Sequence, residues 1–341
     1  MRNRLKDVIR TLLFLGLGLL LIWLIVRDFT PDQWAHIRQA FLEANYFLLI
    51  PVFGIGLSSH YLRALRWRLL LHPMGYRTRI SNVFAAVMIG YLTNLAVPRL
   101  GEVARCGVLA RQERIAVDRV IGTMVAERLI DVCTLAIVIL VTVLLQPGKV
   151  STFFYQRIGE RLTHSFLSEN WTGVVLLLLL LVAVVVLLVY FFRRTAWFQK
   201  GKKLLKGMKE GLFMAFHLQR KGLFLLFTLM IWLCYFLMVY IGFYCFASTS
   251  GLGVKAALSV LSFGSIGMAL TQGGLGAYQL LVEKTLTLYG VSEVYGFAFG
   301  WLSWLAQTAL ILLAGFGALM ALPFLRRPTA ENPSGTTVPG P

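Results

Sequence analysis

Long runs of uncharged, apolar residues constrain this chain more than any other feature of its sequence. Runs such as 11–26, 44–62, 132–148 and 170–192 approach or reach the length of about 20 residues that crosses the hydrocarbon core of a bilayer as a helix. With 58% hydrophobic and 14% charged residues, the composition lies far from that of a water-soluble domain. The sequence therefore predicts an all-α, polytopic integral membrane protein.

The apolar runs predict six full crossings, at 8–26, 47–65, 120–145, 172–192, 222–247 and 295–324. The first run is Leu-rich and lacks a small-x-small cleavage site, so we interpret it as a retained span rather than a signal peptide. Residues 1–325 would form one transmembrane domain, and the Pro- and Gly-rich residues 326–341 a disordered cytoplasmic tail. Short amphipathic helices at the membrane interface are expected at 31–43 and 198–216.

Two apolar stretches are interrupted in a way that predicts re-entrant helical hairpins, over 80–119 and 255–290. In the first stretch, helix breaks are predicted at Pro98 and Gly101, and in the second at Gly273, Gly274 and Gly276. Irregular backbone at membrane depth must line protein or water. One such hairpin in each half of the chain indicates an inverted repeat, although no residue-level repeat is visible.

The net charge of +18 follows the predicted topology rather than indicating nucleic-acid binding. If the first hairpin does not cross and the N-terminus is cytoplasmic, 25 of the 33 Lys and Arg residues lie on the cytoplasmic side. Cytoplasmic loops of membrane proteins carry such an excess. We therefore expect a multi-pass protein of the bacterial inner membrane with both termini in the cytoplasm.

The sequence offers no candidate cofactor, metal site or catalytic residue. The four cysteines and five histidines lack metal-ligand spacing, and no nucleophile motif or phosphate-binding loop is present. We therefore expect neither a cofactor nor a bound metal.

Ionisable residues inside predicted spans are expensive to bury and generally functional. Glu127 and Asp131 lie four residues apart on one helix face, and Arg128 can neutralise only part of their charge. Arg99 and Arg105, on the first hairpin, are the expected further partners, because a guanidinium binds a carboxylate or a lipid phosphate in a bidentate manner. Such a cluster would either fix the hairpin to the span or contact a headgroup.

Three segments resemble the transmembrane region of bacterial lysylphosphatidylglycerol synthases and its stand-alone relatives. They are Arg63–Leu70 (RALRWRLL), Asn94–Arg105 (NLAVPRLGEVAR) and Val125–Asp131 (VAERLID), and the resemblance extends over about 5–325. It implies a lipid flippase in which two inverted re-entrant repeats form a polar cavity that moves a phospholipid or modified-lipid headgroup. Nothing in 341 residues supplies the synthase's soluble aminoacyl-transferring domain, so we do not expect lysyl transfer.

The candidate headgroup-binding residues are polar or charged and lie on the two hairpins and the spans beside them. They are Arg63, Asn94, Arg99, Glu102, Arg105, Glu127, Arg128, Asp131, Gln272 and Gln279. The family's glycine motif continues to a Glu where this chain has Gln279. Losing that acid predicts a preference for anionic or neutral headgroups over cationic, lysyl-modified ones.

Two other function classes remain open at this stage. One is a membrane scaffold or partner subunit of a lipid- or envelope-modifying enzyme, and the other is an intramembrane enzyme acting on lipid. A scaffold predicts fully self-paired charges and no cavity, whereas an enzyme predicts a nucleophile beside a base. The expected partners are phospholipids, anionic or modified, together with a second copy of the chain or an envelope enzyme; nucleic acid is not expected.

Overall fold

The computed structural model describes residues 29–97, 100–146 and 220–325, together with six isolated positions before Phe29. All regular secondary structure in these ranges is helical. The α-helices are α1 (Pro31–Glu43), α2 (Leu49–Leu71), α3 (Ile80–Ala96), α4 (Leu100–Glu113), α5 (Val117–Leu145), α6 (Lys221–Phe243), α7 (Val254–Leu270), α8 (Ala277–Thr287) and α9 (Glu293–Ala321). The predicted crossing 172–192, the helix 198–216, the tail 326–341 and nearly all of the crossing 8–26 lie outside the described residues.

Four of the predicted crossings are confirmed as helices long and apolar enough to cross a membrane, namely α2, α5, α6 and α9. The first of these crossings was predicted at 47–65, and its helix, α2, continues to Leu71 and carries Arg63, Arg66 and Arg68 in its last turns. The bounds of this crossing within the membrane stay a prediction. The helix tolerates Arg63 and Arg66 because carboxylates on α5 pair with both.

The first predicted hairpin consists of α3 and α4, which pack side by side and are each too short to span a bilayer. Pro98, predicted as a helix break, lies outside the described residues. Gly101, predicted as a helix break, instead lies within the first turn of α4. A Cβ there would collide with the carbonyl oxygen of Gly90, so this glycine permits close packing of the two helices rather than a break.

The second predicted hairpin consists of α7 and α8, joined by a glycine-rich turn over 271–276. Gly273, Gly274 and Gly276 have φ angles of 59°, 79° and 78°, in the left-handed region that other residues rarely adopt. The predicted breaks at these three glycines therefore coincide with the turn. Thr271 fixes the turn from inside, because its hydroxyl donates to the carbonyl of Leu275 at 2.8 Å.

The two hairpins enter the molecule from opposite ends. One apolar cluster joins the end of α2, the start of α3, the end of α4 and the starts of α5 and α6 through Leu71, Val83, Leu109, Val120 and Phe224. A second cluster joins the end of α6, the start of α7, the end of α8 and the start of α9 through Phe243, Ala256, Leu286 and Ala298. The tips of the two hairpins therefore point toward each other inside a frame of four long helices.

Helix lengths repeat in the same order in the two halves. α2 and α6 have 23 residues each, α3 and α7 have 17, and α5 and α9 have 29. Only the second hairpin helices differ, with 14 residues in α4 and 11 in α8. Together with the opposite entry of the hairpins, this order agrees with the inverted repeat that the sequence indicated.

Contacts within the hairpins also occur in matching pairs when each helix is counted from its first residue. Gly90 in α3 and Gly264 in α7 occupy the same position, as do Arg105 in α4 and Val282 in α8. A Cβ at Gly90 would lie 2.8 Å from Cβ of Arg105, and a Cβ at Gly264 would lie 3.6 Å from Cγ2 of Val282. The two hairpins therefore pack in the same register.

The contact between α2 and α6 shows the same symmetry, because the same two positions face each other in both directions. Arg66 of α2 donates to the Thr228 hydroxyl of α6 at 3.3 Å. At the equivalent positions, Met238 of α6 faces Gly56 of α2, where a Cβ would lie 3.3 Å from the Met238 Cε. A pseudo-twofold axis therefore passes between these two helices.

Helix α1 covers the end of the molecule at which the second hairpin enters. Thr30 and Gln33 form a reciprocal capping box ahead of Pro31, which explains where the helix begins. Ile37 packs against Val294 and Phe297 of α9. The helix predicted at 31–43 is thus present, and its position at a membrane interface stays a prediction.

Candidate functional site

Two arginines of α2 face two carboxylates of α5 inside the first half of the molecule. Arg63 Nη1 lies 2.8 Å from Glu127 Oε1 and 2.7 Å from Asp131 Oδ2. Arg66 Nη2 lies 3.1 Å from Glu127 Oε1 and 2.6 Å from Asp131 Oδ1. Spacings of three residues on one helix and four on the other put each pair on a single face, so the faces match.

Arg105 brings the first hairpin into this buried cluster. Its Nη1 lies 3.1 Å from Glu127 Oε2, and its guanidinium lies 4.7 Å from the ring centroid of Trp67. The Trp67 indole in turn donates to Thr123 at 3.0 Å. The first hairpin is therefore attached to both α2 and α5 by a charged group with an aromatic face beside it.

The second half of the molecule completes the cluster through α6. Arg63 donates to the Tyr235 hydroxyl at 3.0 Å, and Arg66 donates to Thr228. The side chains of Arg66 and Glu127 are fully buried, so each charge depends on its partners to offset a desolvation cost of several kcal/mol per ion. We define the charged cluster as Arg63, Arg66, Arg105, Glu127 and Asp131.

The charged cluster differs from the sequence interpretation in its cations. Arg66 was not among the candidates, although it lies about one helical turn after Arg63, as Asp131 does after Glu127. Arg99 lies outside the described residues. Arg63, Arg66 and Arg105 had been counted as loop charges on the cytoplasmic side, but they are buried within helices and so carry no information on orientation.

A mostly apolar cavity of about 420 Å³ adjoins the charged cluster, and we call it the inner cavity. It lies mainly among α2, α5, α6, α7 and α9, with Tyr91 of α3 and Tyr278 of α8 also in its lining. Arg63, Asp131 and Arg128 form a charged patch in its wall, and apolar side chains such as Val132 and Met238 line most of the rest.

A second cavity of about 500 Å³ lies at the tips of the two hairpins, and we call it the tip cavity. Its polar lining comes from both halves: Asn94, Glu102 and Arg128 from the first, Gln272 and Gln307 from the second. Residues Tyr91, Arg128, Ser265, Met268, Trp304, Gln307 and Ile311 line both cavities. The two cavities are therefore neighbours across a shared wall.

The hairpin tips touch beside the tip cavity, which Leu95 and Gln272 both line. Gln272 donates to the carbonyl of Leu95 at 3.1 Å and to that of Ala96 at 3.3 Å. These carbonyls belong to the last turn of α3 and have no intrahelical donor. The Trp304 indole donates to the Gly273 carbonyl at 2.7 Å, which holds the second tip against α9.

Two remaining candidates have roles in local structure. Asn94 lines the tip cavity and accepts from the backbone N–H of Gly101 at 2.7 Å, which stabilises the start of α4. Gln279 is fully buried and accepts from the backbone N–H of Gly276 at 2.8 Å. It lines neither cavity, although the sequence interpretation placed it among the headgroup-binding residues.

The walls that the two halves contribute to the inner cavity differ in charge. The first half contributes Arg63, Arg128 and Asp131, with Glu127 behind them. The residues at the same helix positions in the second half are neutral, namely Tyr235, Trp304, Gln307 and Ser303. A site between two such walls has a charged side and an aromatic, neutral side.

Comparison with known proteins gives one finding. A family described as "Lysylphosphatidylglycerol synthase TM region" matches residues 9–315 of the chain. No curated protein and no solved structure matches it.

Proposed function

Because the chain belongs to the lysylphosphatidylglycerol synthase TM region family, we propose that it is a lipid flippase that moves a phospholipid or modified-lipid headgroup across the membrane. The observation that carries the proposal is the pair of neighbouring cavities. One is largely apolar, the other has more hydrogen-bonding and charged groups in its lining, and they share a wall at Arg128. An amphipathic substrate needs this combination, since its acyl chain and its headgroup require different surroundings.

The opposite entry of the hairpins supports transport through the space between them. The two hairpins enter from opposite ends, and their tips meet through Gln272 and the last turn of α3. Passage of a headgroup requires this contact to open, which replaces two hydrogen bonds by bonds to headgroup or water. The cost is small, because exchange of such bonds amounts to about 0.5–1.5 kcal/mol each.

The cavities also favour transport over the scaffold alternative. A scaffold would need its charges only as internal ties and would leave no room beside them. Here Arg128 faces both cavities and is held only loosely by carboxylates. An intramembrane enzyme would require a nucleophile activated by a base, and the lining of the two cavities includes no such pair among the described residues.

We further propose that the protein lies in the bacterial inner membrane with both termini in the cytoplasm. Support comes from the basic residues outside the charged cluster, most of which remain on the side of the N-terminus in the predicted topology. Under this orientation the first hairpin enters from the cytoplasm and the second from the opposite side.

Reconstitution tests the flippase proposal directly. Liposomes holding the purified protein are loaded with fluorescent phospholipids, and the fraction of label accessible to an external quencher is followed over time. We expect accessibility to rise above the level of about half that a one-sided quencher reaches in protein-free liposomes. A trace equal to that of protein-free liposomes, for every lipid tested, would refute the proposal.

A reversible cross-link between the hairpin tips tests whether the lipid passes between them, and the reduced protein in the same vesicles is the matched control. In a Cys133→Ala background, the double variant Leu95→Cys/Gln272→Cys places two thiols at the tip contact. Oxidation should stop transport and reduction should restore it in the same vesicles. Transport that continues at full rate with the cross-link formed would exclude passage between the hairpin tips.

A further inference from the structure

Arg128 differs from the other arginines of the site in being poorly paired. Its Nη1 lies 3.8 Å from Asp131 Oδ2, and its Nε lies 4.0 Å from Glu102 Oε1, both at the outer limit of an ion pair. The Nε has no hydrogen-bond partner among the described residues. The side chain is 38% exposed, although it lies near the middle of the 29-residue helix α5. Such a residue is costly inside a membrane unless a partner or water reaches it.

The neighbouring carboxylates are already committed to other cations. Asp131 holds Arg66 through Oδ1 and Arg63 through Oδ2 at 2.6 and 2.7 Å, and Glu127 is surrounded by three arginines. Counting Arg128 and Glu102 with the charged cluster gives four arginines and three carboxylates, one positive charge in excess. The excess lies at Arg128, because the shorter contacts belong to the other three.

The opposite wall offers no carboxylate to neutralise it. Trp304, Gln307 and Ser303 of α9 occupy the positions that match Arg128, Asp131 and Glu127. Among the described residues that line either cavity, the only acids are Asp131 and Glu102. A guanidinium facing this space therefore attracts an anion and disfavours a second cation, which would be desolvated beside a like charge.

The surroundings of Arg128 identify the kind of anion. The tip cavity supplies hydrogen-bonding groups around it, including Asn94 and Gln307, and the inner cavity supplies apolar walls beside it. A free phosphate would use only the first of these surfaces. A glycerophospholipid uses both, with its phosphate at the guanidinium and an acyl chain in the inner cavity.

We propose that Arg128 binds the phosphate of an anionic glycerophospholipid, and that the shared wall of the two cavities selects such lipids over cationic, aminoacylated ones. This inference deepens the proposed flippase function and rests on it for the identity of the transported lipid. The binding itself requires no transport. The two ideas can therefore fail separately.

Equilibrium binding tests the inference without any transport measurement. The protein is placed in phosphatidylcholine nanodiscs containing small fractions of phosphatidylglycerol or its lysyl derivative with brominated acyl chains. Quenching of tryptophan fluorescence reports occupancy, because Trp232 and Trp304 line the inner cavity. Trp232→Phe should reduce the amplitude of quenching without moving its midpoint, which assigns the signal to the cavity.

Three variants give the expected results. Wild type should bind phosphatidylglycerol about tenfold or more tightly than lysyl-phosphatidylglycerol, and Arg128→Gln should weaken phosphatidylglycerol binding about tenfold to a hundredfold and remove this preference. Glu102→Gln should strengthen binding by a few-fold, on the order of a lost weak ion pair. Arg111→Gln, in the last turn of α4, should leave binding unchanged.

Several outcomes would overturn the inference. Unchanged phosphatidylglycerol binding in Arg128→Gln would do so, as would equal binding of the two lipids by wild type. If Arg128→Gln does not fold, the Glu102→Gln variant provides the test. Phosphatidylglycerol binding that is weaker than or equal to that of wild type would contradict the inference that Glu102 competes with the lipid phosphate for Arg128. Displacement of the brominated lipid by glycerol phosphate alone would show that the site recognises a free phosphate instead of a lipid. Arg128-dependent binding without transport would leave this inference standing and refute the flippase.

Discussion

In the first half of the molecule, the α3–α4 hairpin reaches its neighbouring long helix through charge, with Arg105 on α4 and Glu127 on α5 joined at 3.1 Å. In the second half, the α7–α8 hairpin reaches α9 through close backbone approach inside the molecule. A Cβ at Gly300 would lie 3.1 Å from the Cα of Gln279. An ion pair also joins Lys284 of α8 to Glu293 at 2.6 Å, but Glu293 is exposed at the start of α9. Two hairpins of the same plan are thus fixed by different buried interactions, and only the first places charge beside the two cavities.

A further difference lies inside the hairpins. Gly101 in α4 corresponds by position to Tyr278 in α8. A Cβ at Gly101 would collide with the Gly90 carbonyl, whereas Gly264, the counterpart of Gly90, faces the edge of the Tyr278 ring. The second hairpin has its close backbone approach three residues later, where a Cβ at Gly267 would lie 2.7 Å from the Cα of Tyr278.

The largest expected effect is on the side of the membrane from which each hairpin can be labelled, because the two hairpins enter from opposite ends. Single cysteines at Ser81 and Val117, in a Cys133→Ala background, should react with an impermeant thiol reagent from one side of the membrane. Cysteines at Val254 and Ser292 should react only from the other side. All four positions lie at exposed ends of the hairpins or their following spans. Labelling of Ser81→Cys and Val117→Cys from opposite sides would contradict a re-entrant first hairpin.

A smaller but still severe effect is expected when the ionic attachment is removed. Glu127→Gln leaves Arg63, Arg66 and Arg105 short of a buried partner, so we expect the free energy of unfolding in detergent to fall by about 3–5 kcal/mol. Ser303→Ala, at the matching position of α9, should lower the free energy of unfolding by only about 0.5–1.5 kcal/mol. Equal losses in chemical denaturation would show that charge is not what distinguishes the first half.

The smallest effect should follow a change at the attachment of the second hairpin. Gly300→Ala adds a methyl group that forces the Gln279 backbone to move. We therefore expect the free energy of unfolding to fall by about 1–3 kcal/mol. Gly317→Ala, on the same helix, meets open space and serves as the control, with stability unchanged or slightly raised. Thermal unfolding of the two variants side by side separates packing from helix propensity. A Gly300→Ala protein as stable as the control would contradict close approach of α8 and α9.

The sequence predicted the arrangement of helices well because the deciding signals are local. The length of the apolar runs identified α2, α5, α6 and α9. Three closely spaced glycines inside an apolar stretch identified the tip of the second hairpin. The burial of Arg66 was not predicted, because hydropathy alone places arginines that follow an apolar run, such as Arg63 and Arg66, at the membrane boundary. Their burial depends on carboxylates that lie 61 to 68 residues away in the sequence.

The site was predictable only in part, for a related reason. Glu127, Asp131 and Arg105 were recognised as a set because charges near the centre of a span are conspicuous. Gln279 was taken from a motif, and its burial against the glycine turn depends on three-dimensional packing that a motif does not encode. The repeat was invisible because equivalent positions, such as Glu127 and Ser303, carry unlike residues although the helices that bear them have the same lengths and order.

The hydrogen bonds that join the charged cluster to α6 affect the order in which this protein can be made. Tyr235 follows Arg63 by 172 residues, and Thr228 follows Arg66 by 162. At a synthesis rate of about 5–20 residues per second, roughly ten to thirty seconds separate emergence of the arginines from emergence of these acceptors. During that interval the nascent first half has donors for which its own helices provide too few acceptors. We therefore expect the early helices to be retained beside the insertion machinery until α6 has entered the membrane. There, water can accept the hydrogen bonds of the arginines.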